Sequence, residues 1–219
     1  MTRYLEILSH SPLFSGMQPK DVSGVLTCLR AKRKTYTKGE MLLLAGDRVP
    51  ELGIVLDGEV DVVREDVNGG RTIIAKILPG ELFAEAFACA GTEHSPVSVI
   101  SAAQSEVVWM SVGGIIKVCP HACVHHTKLV ENMMHLLARK NLILHDRLEL
   151  LSKKTIRERI ETYLEIQARR QGSTRFHIPF SRTELADYLC VDRSALSREL
   201  GAMRDAGLLR FRRNEFELV

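Results

Sequence analysis

The segment from about Cys123 to Leu151 contains neither glycine nor proline, and its apolar residues recur with a helical period. Successive members alternate at spacings of four and three, which is the spacing of a coiled-coil seam. This seam comprises Val130, Met134, Leu137, Asn141, Leu144, Leu148 and Leu151. A single asparagine in such a seam fixes register and a two-chain state. We therefore predict a long dimerising helix, with an ordinary core helix that tolerates one asparagine as the alternative.

A second apolar stripe follows the same predicted helix. It comprises Leu129, Met133, Leu136 and Ile143. A helix that is apolar on two faces needs a cover for both of them. We expect the second stripe to pack on the preceding domain while the seam faces a partner chain.

The chain from about Leu13 to Ala102 has the pattern of a β-domain. Glycine or proline recurs every eight to twelve residues, which is typical of a barrel or roll. The intervening runs, such as GIVLDGEVDVV and RTIIAKIL, are rich in β-branched residues. Asn68-Gly69 lies between two such runs and predicts a hairpin turn, because both residues tolerate positive φ.

The segment after Phe180 predicts two short helices joined by a turn. Ser181 and Glu184 form an S-x-x-E capping box, so a helix begins just after Ser181 and ends at about Leu189. Asp192 caps a second helix, from about 193 to 206, and Gly207 ends it.

The second of these helices has two different faces. The packing face consists of Leu196, Leu200 and Met203. The opposite face consists of Arg193, Ser194, Ser197 and Arg198. In a helix-turn-helix the second helix enters the major groove of DNA, where arginine matches the O6 and N7 acceptors of guanine. We predict DNA contacts by these four residues; the alternative is a small helical subdomain whose basic residues are only solvated.

The last residues, LLRFRRNEFELV, alternate apolar and polar side chains around Arg213-Asn214 and predict a closing β-hairpin, the wing. We expect Arg210, Arg212 and Arg213 to contact backbone phosphates. Arg182, at the start of the first short helix, is also a DNA-binding candidate.

The distribution of charge supports a division into domains. The chain has a net charge of +3, and the residues from Ser152 onward contribute 14 basic against 10 acidic side chains, or +4. A basic tail favours a polyanionic partner, although a solvated basic face has the same composition. We predict a sensing domain over 1–122, a dimerisation helix over 123–151 and a DNA-binding domain over 152–219.

The sequence lacks the features of membrane proteins, secreted disulfide-rich proteins and several classes of enzyme. No apolar run resembles a signal peptide or a membrane span, so we expect a cytoplasmic protein without a membrane partner. Five scattered cysteines do not form a secreted disulfide pattern. We find no G-x-S-x-G, Walker-type or H-E-x-x-H motif and expect no enzymatic activity. A cyclic-nucleotide-binding module that acts on a protein partner stays an alternative.

Potential metal ligands cluster between the predicted β-domain and the long helix. The candidates are Cys119, His121, Cys123 and His125. Thiolate and imidazole suit zinc, copper, iron or haem, but C-x-x-x-C is not the spacing of a zinc knuckle. We therefore commit to no metal site. Cys89 and His94 are candidate axial ligands for haem.

Three segments resemble the Crp/Fnr superfamily of bacterial regulators, in the order found in that family. They are LPGELFAEAFACAG, RLELLSKKTIRERIETYLEIQA and FSRTELADYLCVDRSALSRELGAMRDAGLL. The resemblance implies an α+β protein with an N-terminal β-roll (a double-stranded β-helix or jelly-roll), a long dimerisation helix and a C-terminal winged helix-turn-helix. It also implies a homodimer on a near-palindromic operator, with RNA polymerase as a candidate partner and a small-molecule effector in the roll.

The chain departs from the family pattern at both ends. Ser194 stands where well-known members carry glutamate, so we expect a different operator half-site. In the sensor, Ala84-Glu85 and His94-Ser95 replace the Gly-Glu and Arg-Ser pairs of cyclic-nucleotide-binding members. We call these four residues the cassette site.

The missing arginine bears on which effector the cassette site would take. Without it a cyclic phosphate would lack its cation, so we expect a small-molecule or redox effector other than cyclic AMP. A metal- or haem-dependent redox or gas sensor is the alternative. The iron–sulfur mechanism is disfavoured, because the first 27 residues contain none of the N-terminal cysteines it uses. We expect the effector pocket between the cassette site and the long helix.

Overall fold

The computed structural model describes residues 3–65, 70–116 and 124–219, with the side chain of residue 124 excepted. The expected turn at Asn68-Gly69 and the metal-ligand candidates Cys119, His121 and Cys123 lie outside these residues. The chain divides into two compact units, Met1–Ala138 and Arg139–Val219.

The amino-terminal unit contains a β-roll made of two four-stranded antiparallel sheets. The strands are β1 (Lys32–Tyr36), β2 (Met41–Leu43), β3 (Glu51–Asp57), β4 (Val60–Glu65), β5 (Arg71–Ile77), β6 (Leu82–Phe83), β7 (Ser98–Ser101) and β8 (Ser105–Ser111). One sheet has the order β1-β8-β3-β6 and the other β2-β7-β4-β5. Because the chain passes back and forth between the sheets, it builds the roll expected from the glycine and proline spacing.

Helices flank the roll. They are α1 (Arg3–His10), α2 (Pro19–Cys28), α3 (Glu85–Ala90), α4 (Val112–Ile116) and α5 (Val124–Ser152). A short 3-10 turn covers Pro12–Phe14. The roll core is built mainly by β3 and β8, whose side chains Leu52, Ile54 and Met110 are fully buried. Within the described residues no helix is long and apolar enough to cross a membrane.

The long helix α5 contributes residues to both units. Leu129, Met133 and Leu136 are buried in the core of the roll, as expected for the second stripe. The prediction is wrong for Ile143, which is 53% exposed. Ile143 lies beyond the end of the amino-terminal unit at residue 138, so the roll offers it no cover. The sequence also did not reveal that buried Asn132 donates hydrogen bonds to the carbonyl oxygens of Leu13 and Ser15, both at 2.9 Å.

The carboxy-terminal unit has its own core. Its elements are α6 (Ile156–Gln171), β9 (Arg175–His177), α7 (Arg182–Leu189), α8 (Arg193–Asp205), β10 (Leu209–Arg212) and β11 (Glu215–Leu218). The three strands form one antiparallel sheet with the order β10-β11-β9. The hairpin β10-β11 is the predicted wing, whereas β9 is only three residues long and too short to show a period in the sequence.

The predicted helix caps are confirmed. The Ser181 hydroxyl accepts a hydrogen bond from the Glu184 amide, and the Glu184 carboxylate accepts one from the Ser181 amide at 2.7 Å. Asp192 accepts hydrogen bonds from the amides of Ser194 and Ala195 at 2.9 and 3.0 Å. Gly207, with φ of +75°, follows the end of α8. These caps satisfy amide groups that a helix N-terminus otherwise leaves without partners.

Candidate nucleic-acid interface

The two faces of α8 differ in burial as their residue types predict. Its packing face is buried against α6, α7 and the wing, through Leu196, Leu200 and Met203. Its other face carries four exposed residues, Arg193, Ser194, Ser197 and Arg198. The unit therefore fixes α8 from one side and leaves the polar side open to solvent.

The two serines on the open face already donate hydrogen bonds within the helix. The Ser194 hydroxyl donates to Asp192 Oδ1 at 2.5 Å, and the Ser197 hydroxyl donates to the Arg193 carbonyl oxygen at 2.9 Å. The bond from Ser194, helped by two backbone amides and the nearby Arg198, lowers the pKa of Asp192. Among the described residues Arg193 and Arg198 form no ion pair, so their guanidinium groups are available to an outside acceptor.

Arg182 lies against the wing. Its guanidinium carbon is 5.1 and 5.5 Å from the ring centroids of Phe211 and Phe216. Its Nη2 donates a hydrogen bond to the Arg213 carbonyl oxygen at 3.2 Å. This group is half-buried and already engaged by the hairpin. The predicted DNA contact of Arg182 stays a prediction.

The tip of the wing is basic. Arg212 and Arg213 are exposed, and Arg213 takes a positive φ of 55° in the turn between the two strands. Arg210 differs from them, since its guanidinium lies 3.9 Å from the Glu217 carboxylate on the paired strand. Arg212 and Arg213 are therefore the better placed of the three for phosphate contacts.

Two arginines bind the turn between α7 and α8. Arg147 of α5 donates to the Tyr188 carbonyl oxygen and, at 3.6 Å, to Cys190 Sγ. Arg159 of α6 donates to the carbonyl oxygens of Leu189 and Cys190 at 3.1 and 3.2 Å. Cys190 itself has a positive φ of 51°. These contacts satisfy the last carbonyl groups of α7. No pattern in the sequence predicts these contacts, since they join residues at least 30 positions apart.

The seam on α5 is largely exposed within one chain. Met134, Leu144 and Leu148 are 66%, 62% and 67% exposed, and Asn141 is exposed as well. Val130 and Leu137 are partly buried against the roll core. Residues 138–145 are all exposed, which covers every side of the helix for two turns.

The cassette site combines buried and exposed residues. Ala84 has a positive φ of 62° at the start of α3, and Glu85 is buried. Buried Ser95 donates its hydroxyl to the Val97 carbonyl oxygen at 2.6 Å. His94 is exposed, and its Nδ1 lies 2.7 Å from the Gly46 carbonyl oxygen. The Ser95 hydroxyl is thus already engaged by the backbone.

The candidate metal and haem ligands in the described residues do not converge. Burial, and to a smaller extent the charge of Glu85, raises the pKa of the Cys89 thiol, which disfavours the thiolate that a metal needs. His125 Nε2 lies 3.7 Å from Asp21 Oδ1. Among the described residues no group of three histidine, cysteine, aspartate or glutamate side chains could hold a metal ion.

Comparisons with known proteins found two matching family models and several similar regulators. A family model described as a cyclic nucleotide-binding domain matches residues 33–120, and one described as a Crp-like helix-turn-helix domain matches residues 158–219. The cyclic AMP receptor protein of Thermus thermophilus is 30% identical over 202 residues, which cover 91% of this chain and 88% of that protein. The transcriptional activator protein FnrL of Cereibacter sphaeroides is 24% identical over 196 residues, covering 80% and 71%.

A solved structure has a similar fold over nearly the whole chain. The crystal structure of the Thermus thermophilus catabolite activator protein is 27% identical and has a TM-score of 0.57. The match covers 95% of this chain and 94% of that one. The β-roll, the long helix and the winged helix-turn-helix are therefore all shared with it.

Proposed function

Because this chain belongs to the Crp/Fnr family of DNA-binding transcription regulators, we propose that it binds a near-palindromic operator as a homodimer, under control of an effector in its β-roll. The observation that carries this proposal is the open face of α8, where Arg193 and Arg198 are exposed and form no ion pair among the described residues. We propose a regulatory role for the chain and no catalytic one.

We assign the DNA contacts according to which hydrogen-bond donors of each side chain are not already used within the chain. Arg193 and Arg198 contact base edges, since a guanidinium matches the acceptor pair of guanine. Ser194 and Ser197 approach phosphates or bases with hydroxyl groups that must first exchange their bonds within α8. Arg212 and Arg213 contact phosphates, while Arg182 acts indirectly by holding the wing.

We propose that the seam forms the dimer interface. Its exposed residues Met134, Leu144 and Leu148 lie on a helix that is exposed over two full turns. Burying these apolar side chains against a partner chain would be favourable. Two copies of Asn141 would then face each other and fix the register. A homodimer presents two copies of α8, as a two-fold DNA site requires. RNA polymerase is a further partner that we propose only from membership of the family.

We propose that the effector is not cyclic AMP, although a relative at 30% identity is named for it. His94 stands in the place of the family arginine, and the Ser95 hydroxyl is engaged by Val97. A cyclic phosphate would therefore lose one cation and compete for one hydroxyl. A sensor built on Cys119, His121, Cys123 and His125 is the alternative, and the first three of these residues lie outside the part of the chain that the structure describes.

The function is tested by selecting operator sequences from random duplex DNA with the purified chain. We expect enriched sites with two inverted half-sites about 10 base pairs apart, as a two-fold dimer requires. Enrichment of no common sequence would contradict the proposal and favour a module that acts on a protein partner. Calorimetry with cyclic AMP and cyclic GMP tests the effector: micromolar binding that is lost in Glu85→Ala would overturn our assignment.

A further inference from the structure

A cavity of about 530 Å³ lies at one edge of the β-roll, between β1 of the first sheet and β2 of the second. Its apolar wall is formed by the rings of Tyr36 and Trp109 together with Leu43 and Val49. The volume falls within the range of about 300–1,000 Å³ that small-molecule sites occupy. The four residues of the cassette site are not among those that line it.

The aromatic wall is held in place by a hydrogen bond between its two rings and by a ring contact outside the cavity. Trp109 Nε1 donates a hydrogen bond to the Tyr36 hydroxyl oxygen at 2.9 Å. The Trp109 ring also meets the Phe83 ring edge to face, with centroids 5.2 Å apart. A wall fixed in this way need not be ordered when a ligand binds, which lowers the cost of binding.

The cavity carries an excess of positive charge. Four basic side chains line it, Lys32, Arg33, Lys34 and Arg48, against the two acidic side chains Asp47 and Glu51. Lys32 has Glu51 at 3.8 Å and Arg33 has Glu106 at 3.4 Å.

The other two cations of the cavity have no such carboxylate. Among the described residues neither Lys34 nor Arg48 forms an ion pair. The Lys34 ammonium lies 4.4 Å from the centroid of the Tyr36 ring, and Arg48 neighbours buried Val49 in the chain. Two unpaired cations therefore stand beside an apolar, aromatic surface.

We propose that this cavity binds a small organic anion in which a carboxylate is joined to an aromatic ring. The carboxylate pairs with Arg48 and Lys34, because charge-assisted hydrogen bonds are the strongest that these groups can form. The ring packs on Trp109 and Val49. Inorganic phosphate would leave the apolar wall in water, and a neutral aromatic molecule would leave both cations unpaired. The proposal does not depend on the effector proposed for the cassette site.

One segment connects the cavity to the cassette site. Residues 44–49 carry Asp47 and Arg48 on the cavity side. The Gly46 amide donates to the Ser95 carbonyl oxygen, and the Ser95 amide donates to the Asp47 carbonyl oxygen, both at 2.8 Å. A test of the cavity must therefore separate binding at Arg48 from binding at Glu85.

Trp109 is the only tryptophan of the chain, so its fluorescence reports directly on the cavity wall. We would titrate the full-length protein with 3-phenylpropionate and follow the emission of Trp109, with calorimetry as a second measurement. The matched probes are 3-phenylpropionamide, which lacks the charge, and inorganic phosphate, which lacks the ring. We expect a saturable change with 3-phenylpropionate and at least about tenfold weaker binding of the other two.

Three variants locate the site. Arg48→Ala and Lys34→Ala each weaken binding of 3-phenylpropionate by about tenfold, the effect of losing one charge-assisted hydrogen bond. Arg64→Ala removes an exposed cation on β4, outside the cavity, and leaves binding unchanged. Circular dichroism verifies that each variant is folded.

Three results would overturn the proposal. The first is no saturable change in emission or heat up to about 10 mM probe. The second is equal affinity for the acid and the amide. The third is binding that survives in Arg48→Ala but is lost in Glu85→Ala, which would assign the probe to the cassette site and leave the proposed function of that site standing.

Discussion

Arg147 of α5 and Tyr188 of α7 are joined by two contacts. The guanidinium carbon lies 4.2 Å from the centroid of the Tyr188 ring, and Nη1 donates a hydrogen bond to the Tyr188 carbonyl oxygen. The pair connects the carboxy-terminal half of the long helix to the turn that precedes α8. A residue outside the helix-turn-helix is therefore bound to the end of α7.

Arg147→Ala should lower the free energy of unfolding of the carboxy-terminal unit by about 1–2 kcal/mol, through loss of the ring contact and the carbonyl bond. Arg147→Lys should recover part of this, since an ammonium keeps the charge but not the planar contact. Urea denaturation measures the change. Exposed Arg139, which precedes Arg147 by two turns, gives the control Arg139→Ala with little effect. Equal stability of Arg147→Ala and the parent chain would show that the pair contributes nothing.

Arg198→Ala should cost about 1–3 kcal/mol in binding to the selected operator and reduce the preference at one base pair, because a base contact carries sequence information. Arg213→Ala should instead weaken binding to all sequences and lower the salt slope by about one. Fluorescence anisotropy over a salt series measures both, with Arg64→Ala on the β-roll as the control. An unchanged operator preference in Arg198→Ala would contradict the face assigned to α8.

Arg182→Ala tests whether this residue holds the wing or contacts a base. If it holds the wing, affinity for operator and random DNA should fall by the same factor, and the hairpin amides should exchange faster with solvent. Hydrogen exchange and anisotropy give the two measurements. A selective loss of operator binding with unchanged exchange would restore Arg182 as a base contact.

If the seam forms the proposed dimer interface, Leu144→Asp should give monomers, since a carboxylate would be buried in the seam. Asn141→Leu should instead stabilise the dimer while loosening its register. Arg139→Asp, on the side of the same helix away from Leu144, serves as the charge control. Sedimentation at micromolar concentration decides: a dimer that persists in Leu144→Asp places the interface elsewhere.

The caps of the carboxy-terminal unit make its stability depend on pH. Hydrogen bonds from Ser194, Ala195 and Ser181 lower the pKa values of Asp192 and Glu184. A carboxyl group whose pKa is lower in the folded state contributes stability above its unfolded pKa, and the contribution is lost as the pH falls through the folded value. Stability should therefore decline below about pH 4. Asp192→Asn should flatten this decline, as urea midpoints between pH 3 and about pH 7 would show.

Helix caps could be predicted from the sequence, because they depend on residues close together in the chain. The direction of a side chain and its burial could not, because they depend on residues distant in the chain. The capping box at Ser181 and the cap at Asp192 involve residues no more than three positions apart, so their pattern is visible in the chain. Arg182 has the charge and position of a phosphate contact, but rings of the wing fix its direction. Ile143 has the period of a buried residue, but the unit that would cover it ends earlier in the chain.

The two units have hydrophobic cores with no residue in common, one containing Leu136 and the other beginning at Leu150. Between them lies the stretch of α5 whose residues 138–145 are all exposed. Heat or denaturant can therefore melt one core while the other persists, and a single unfolding temperature will not describe the chain. Calorimetry should resolve two unfolding transitions. If the proposed dimer forms through α5, the unfolding temperature of the core that the dimer stabilises should rise with protein concentration.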